Sequence, residues 1–158
     1  MNRANFRERS ATDIFAALSD AASKYQADRY NTSKLLEIMI VRELAHATSN
    51  SGKPLVVINT VNPGYCVSQL QRHATPVLYF FIKLGGLILA RTTEEGSRTL
   101  FAGAVAGEES HGMYMSDCKV KEPSAFVRSK DGLDTQKKVY EQLLKVLEGV
   151  EPEITKNI

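Results

Sequence analysis

DRYNTSKLLEIMIVRELAHA (residues 28–47), SNSGKP (49–54), LVVI (55–58) and NTVNPG (59–64) follow one another along the chain, and their order decides the fold class. Leu35, Leu36, Ile38, Met39, Ile40, Val41 and Leu44 predict a helix from Asp28 to Ala47 with little polar surface, buried on more than one face. The turn formers Ser49 to Pro54 end it. Leu55-Val56-Val57-Ile58 is then a continuous apolar run rich in β-branched residues, suited to a strand covered on both faces in a parallel sheet. Asn62-Pro63-Gly64 stops that strand. A helix, a turn and a buried strand make half of an α/β repeat.

Working outward, Ala11 to Asp20 reads as a short helix starting near Thr12 or Asp13, and the first ten residues are polar and expected to be disordered. Val77 to Ala90 is the most apolar stretch, interrupted by Lys83 and Gly85-Gly86. It falls short of the ~20 residues that a membrane-spanning helix needs. Lys83 alone also gives it little polar face for lying on a bilayer, so a core or substrate-pocket element is expected. Thr92-Thr93-Glu94-Glu95 opens a helix to about Ala106, with a threonine N-cap and acidic residues in the first turn. Gly112-Met113-Tyr114-Met115 suits a short strand, and Thr135 to Glu148 an amphipathic helix with Val139, Leu143, Leu144, Val146 and Leu147 inward. No repeat or linker divides the chain, so residues 1–158 read as a single partial domain.

Composition removes several function classes. With 43% hydrophobic and 24% charged residues the chain is ordinary globular protein, and a net charge of +2, with acids scattered among bases, implies no nucleic-acid partner. Cys66 and Cys118 lie far apart without metal-ligand spacing, and His46, His73 and His111 have none either, so no metal is expected. The start MNRANFRERS has no apolar leader, which makes a cytoplasmic setting the expectation and leaves the Asn31-Thr32-Ser33 sequon without a secretory route.

Tyr30 and Lys34 stand four residues apart at the head of the long helix, a spacing that projects both side chains from one face. A free tyrosine titrates near pH 10. A cation within a few ångströms lowers that by about 1–3 units, and the positive helix N-terminus acts in the same direction. The pair therefore suits general acid/base work at a carbonyl or alcohol. Spacing alone is weak: Tyr79-Phe80-Phe81-Ile82-Lys83 repeats it inside the apolar stretch, and such pairs mostly decorate solvated helix faces.

Context raises its weight. Tyr30-Asn31-Thr32-Ser33-Lys34-Leu35-Leu36-Glu37, running on through Val41-Arg42-Glu43-Leu44-Ala45, precedes Val57-Ile58-Asn59-Thr60-Val61-Asn62-Pro63-Gly64. This ordered pair of motifs resembles the short-chain dehydrogenase/reductase family, with its Y-x-x-x-K helix and N-x-V-x-P-G strand end, and especially its fungal, retinol-dehydrogenase-like branch. The resemblance covers the chain from about Ala11 and implies the C-terminal half of a doubly wound, Rossmann-type parallel sheet with flanking helices. It makes Tyr30 the proton donor or acceptor at the substrate, and Lys34 the group that lowers its pKa and hydrogen-bonds the nicotinamide ribose. It brings Pro63, Gly64, Cys66 and Ser68 to the cofactor, NADP or NAD, and makes Val67 to Ala90 a substrate-side flap with Tyr79 and Lys83 as packing or pocket residues. In the family the long helix commonly packs on a partner subunit, so a homo- or hetero-oligomer through residues 28–47 is expected.

The departures are equally specific. No stretch offers the family's T-G-x-x-x-G-x-G turn, whose backbone approaches the pyrophosphate, so the N-terminal glycine-rich half is read as missing. The strand that carries the family's catalytic serine has no counterpart either, and the role passes to none of Ser10, Ser19 or Ser23. Two functions stay open: a truncated NAD(P)-dependent oxidoreductase of an alcohol or ketone, or a catalytically dead pseudoenzyme that binds a family member through its long helix.

Overall fold

A computed structural model describes residues 6–23, 28–67, 84–86 and 90–158. Its regular elements are helix α1 (Ile14–Ser19), helix α2 (Arg29–Ser49), strand β1 (Thr60–Asn62), helix α3 (Thr93–Ala104), strands β2 (Tyr114–Ser116) and β3 (Lys119–Lys121), helix α4 (Ala125–Arg128) and helix α5 (Lys130–Val150). They fall into two compact units, Met1–Ile58 with Glu122–Ile158, and Asn59–Lys121.

The first unit is helical. Thr32, Leu35, Leu36 and Met39 recur at helical spacing on α2 and are buried, with Phe6, Ile14, Phe126, Val127 and Val139 completing the core. The buried side of α2 is narrower than its composition suggests, because Ile40, Val41 and Leu44 are only half-buried. Asp13 caps α1, its carboxylate accepting from the Ala16 N–H at 2.8 Å, which selects between the two start residues the sequence offers. Gln142 pins α1 to α5 by accepting from the Ile14 N–H at 2.8 Å and donating to the Thr12 carbonyl at 2.8 Å. Ser129 caps α5 by accepting from the Gly132 N–H at 3.1 Å. A side chain at Gly132 would bring its β-carbon to 1.9 Å from the Phe126 carbonyl oxygen, so the tight passage from α4 into α5 requires glycine.

Two expectations change here. In place of a disordered stretch, Arg7–Ser10 form a turn of 3₁₀ helix with Phe6 wholly buried. The reason is non-local: Glu8 pairs with Arg29 at 2.6 Å, and Lys138 donates to the Arg9 and Ala11 carbonyls at 3.3 and 2.6 Å. On α5, Val139 is buried and Leu143, Leu144 and Leu147 are half-buried, whereas Val146 is 49% exposed, off the inward stripe.

The second unit holds a three-stranded sheet in the order β1-β2-β3. β1 runs parallel to β2, with Thr60 opposite Tyr114, and β2 runs antiparallel to β3, with Tyr114 opposite Lys121. Asp117 and Cys118 join β2 to β3 with φ of 54° and 59°, the left-handed pair of a tight hairpin turn. α3 opens as the sequence predicts: Thr92 accepts from the Glu95 N–H at 3.1 Å and Glu95 accepts from the Thr92 N–H at 2.8 Å, a reciprocal capping box. Glycines let α3 approach β1 and the turn after it. A β-carbon at Gly103 would lie 2.4 Å from Val61 Cγ2, and one at Gly96 would lie 2.4 Å from Cys66 Sγ.

The class is α/β, as the sequence indicates, but the sheet among the described residues is small and mixed. Leu55–Ile58 is not a strand: the strand lies at Thr60–Asn62, and Leu55 and Val56 are 41% and 69% exposed. A buried parallel strand needs a neighbour on each edge, and among the described residues none lies beside 55–58. The strand expected at Gly112–Met115 is found at Tyr114–Ser116, and the β3 hairpin was not foreseen. Of the apolar stretch 77–90, residues 77–83 and 87–89 lie outside the described residues. No helix among the described residues is long and apolar enough to cross a membrane.

Candidate active site

Tyr30 and Lys34 belong to the first unit. They occupy the first turns of α2, on the side away from the buried Thr32-Leu35-Leu36-Met39 stripe. Tyr30 is 55% exposed, and the Lys34 ammonium stands 6.0 Å from the centroid of its ring. The four-residue spacing thus delivers phenol and cation to one accessible surface. Ser33 donates to the Tyr30 carbonyl at 2.8 Å, so its hydroxyl serves the local backbone.

Glu37, three residues beyond Lys34 in the same helix, joins the pair in the structure. Its carboxylate accepts from Lys34 Nζ at 2.7 Å. That hydrogen bond is the main reason the Lys34 pKa lies above its ordinary value; slight burial opposes the rise, and the charges of Glu37 and Tyr30 support it. The ammonium is therefore secure as a cation while part of its charge is answered by Glu37. The signal was present: acid and base three apart on a helix are neighbours.

Pro63, Gly64 and Cys66 belong to the second unit, in the turn that leaves β1. Asn62 shapes it, its side-chain oxygen accepting from the Gly64 N–H at 3.0 Å while its amide donates to the Tyr114 hydroxyl at 2.8 Å. Gly64 has φ +80°, a left-handed conformation that glycine adopts without penalty. The Cys66 thiol donates to the Pro63 carbonyl at 3.4 Å. Arg91, absent from the sequence reading, contacts this turn from a position 28 residues beyond Pro63: Nη1 donates to the Pro63 carbonyl at 3.3 Å, and a β-carbon on Gly64 would meet Nη1 at 3.0 Å. No local spacing signals such a contact. Ser68, Tyr79 and Lys83 lie outside the described residues.

His46 is exposed near the end of α2, His111 follows a short 3₁₀ turn, and His73 lies outside the described residues. Among the described residues, no group of three or more His, Cys, Asp or Glu side chains is placed to hold a metal ion.

Comparison with known proteins finds relatives along almost the whole chain. It is 44% identical over 156 residues to a short chain dehydrogenase/reductase of Cryptosporiopsis sp. (strain 8999), covering 96% of this chain and 47% of that protein. A short chain dehydrogenase of Gibberella zeae is 36% identical over 151 residues, covering 96% and 44%. A short-chain dehydrogenase of Penicillium roqueforti is 36% identical over 147 residues, covering 90% and 39%. The chain thus spans less than half the length of these curated relatives. No family model matches it, and no solved structure does.

Proposed function

Because the chain belongs to the short-chain dehydrogenase/reductase family, matching part of its relatives' length, we propose that it carries the proton-transfer pair of an NAD(P)-dependent oxidoreductase acting on an alcohol or ketone. The observation that supports this reading is the exposed Tyr30 phenol with the Lys34 ammonium 6.0 Å from its ring on one face of α2. In this reading Tyr30 gives a proton to the substrate oxygen during reduction and takes it back during oxidation, and Lys34 favours the phenolate that forms.

The residues present suit one end of the cofactor. Lys34 spends one N–H on Glu37 and has two more to offer ribose hydroxyls. Pro63, Gly64, Cys66 and Ser68 would contribute backbone and small side chains toward the nicotinamide, which supplies or accepts the hydride when bound. The pyrophosphate end has no three-glycine turn in this sequence. The doubly wound sheet and the nucleotide half would come from a further stretch of polypeptide. The half-buried Ile40 and Val41 of α2 suit packing against a second subunit, and a reducing, cytoplasmic setting would keep Cys66 and Cys118 as the free thiols they are.

The test is turnover of NADPH or NADH with a panel of ketones, by the chain alone and by the chain co-expressed with a full-length relative. Tyr30→Phe should lower turnover by ~10²–10⁴, and Lys34→Ala should be similarly severe. Lys83→Ala should leave the proton transfer intact. Equal losses at Lys34 and Lys83, in variants that fold, would mean the pair is misassigned.

A further inference from the structure

We infer that Arg91 is the positioning residue of the Pro63–Val67 turn, a guanidinium clamp that sets the turn's shape. Its importance for the cofactor rests on the functional reading above; the clamp itself does not. Two kinds of contact converge on this residue. Its backbone is laid beside the turn as a parallel bridge to Cys66, the Arg91 N–H donating to the Tyr65 carbonyl at 2.8 Å and the Val67 N–H donating to the Arg91 carbonyl at 3.0 Å. Its side chain then folds back over the turn, Nη1 donating to the Pro63 carbonyl at 3.3 Å and lying where a Gly64 side chain would be.

The other arm of the guanidinium, Nη2, is held by Asp117 at the β2–β3 hairpin, where Lys121 shares the carboxylate. A planar fork can grip a carbonyl and a carboxylate at once. A lysine ammonium in the same place would satisfy Asp117 but could not also reach Pro63 in a fixed plane. Asp117 itself sits in a left-handed turn whose position the sheet register determines. The hairpin therefore anchors Arg91, and Arg91 holds the turn that carries Gly64 and Cys66.

Cys66 reports on the clamp, because its half-buried thiol donates to the same Pro63 carbonyl that Arg91 holds. Cys118→Asn leaves Cys66 as the single thiol of the chain and keeps a residue tolerant of the left-handed φ at 118. In that background, iodoacetamide alkylation followed by intact-mass spectrometry reads the opening of the turn. Arg91→Ala should raise the Cys66 rate roughly tenfold, the size of one lost charge-assisted hydrogen bond. Arg91→Lys should recover only part of this, and Arg98→Ala, which removes an exposed pair with Glu94, should change nothing. Should Arg91→Ala fail to fold, Asp117→Asn frees Nη2, the arm that anchors the guanidinium, and must also raise the rate.

Wild-type alkylation in folded Arg91→Ala, or full recovery in Arg91→Lys, would reduce Arg91 to a surface ion pair and overturn the inference. Millimolar reduced nicotinamide mononucleotide separates the two ideas. If it slows alkylation with Arg91 present and less so in Arg91→Ala, clamp and cofactor reading stand together. If it gives no protection while Arg91→Ala still raises the rate, the clamp stands and the cofactor reading of the turn falls.

Discussion

Each of the two units is held together internally by its own kind of contact. In Met1–Ile58 with Glu122–Ile158, apolar side chains from α1, α2, α4 and α5 are buried against one another around Met39, Val127 and Val139. In Asn59–Lys121, among the described residues, Met115 is the one hydrophobic side chain that is buried, while Leu100 and Phe101 of α3, and Val105 just after it, are exposed. Polar pins and glycine-mediated close approach replace the apolar core there: Asn59 donates to the Gly103 carbonyl at 2.9 Å and to Ser110 at 3.0 Å, and Arg91 joins the turn to the hairpin. Burial is non-directional and tolerates repacking, whereas a pin works only at one distance. The first unit should therefore answer to lost volume, and the second to lost geometry.

Met39→Ala is the strongest way to break this contrast. It empties a wholly buried site and should cost about 2–5 kcal/mol in urea unfolding. A cost below about 1 kcal/mol would mean the helical core is loosely packed. Gly103→Ala should come next, at about 1–3 kcal/mol, because its β-carbon would lie 2.4 Å from Val61 Cγ2 and 3.3 Å from Asn59 Oδ1. Adding Val61→Ala should recover part of that loss, and a double-mutant cycle with no coupling would show that α3 does not rest on β1 as described. Thr92→Ala removes the capping box of α3 and should cost about 0.5–2 kcal/mol by the same measurement.

The smallest effect is a pH dependence. Hydrogen bonds from Lys121 and then Arg91 hold the Asp117 carboxyl well below its ordinary range, at about 2. A carboxyl depressed in the folded state stabilises it above its unfolded pKa and loses that contribution as pH falls toward about 2. The second unit should therefore loosen between about pH 4 and pH 2, and Asp117→Asn should flatten that part of the profile in urea titrations followed by near-ultraviolet circular dichroism. An unchanged slope would remove the hairpin pins from the account of the second unit.

Legibility follows the same division. Asp13, Thr92 and Glu95 could be read because a cap acts over three residues of one chain segment. Tyr30 and Lys34 could be read because helical spacing alone brings them to one face. The ordered turn at Arg7–Ser10 could not, since its causes lie at Arg29 and Lys138. Nor could the exposure of Leu55 and Val56, because an apolar β-branched run becomes a strand only where a neighbour supplies the other half of its hydrogen bonds.

By itself, then, the sequence determined α1, α2 and α3, the caps at Asp13 and Thr92, the body of α5 from Thr135, and the Tyr30–Lys34 face, all consequences of contacts within about one helical turn, whereas α4 and the Ser129 start of α5 came only with the fold. The tertiary structure alone decided that the strand begins at Thr60, that the sheet is mixed, and that Gly96 and Gly103 admit α3 to the turn and strand. It also decided that Arg91 closes on Pro63 and Asp117. Those features join residues far apart in the chain, and strand pairing, close approach and ion pairing depend on which distant partner arrives, which periodicity does not encode.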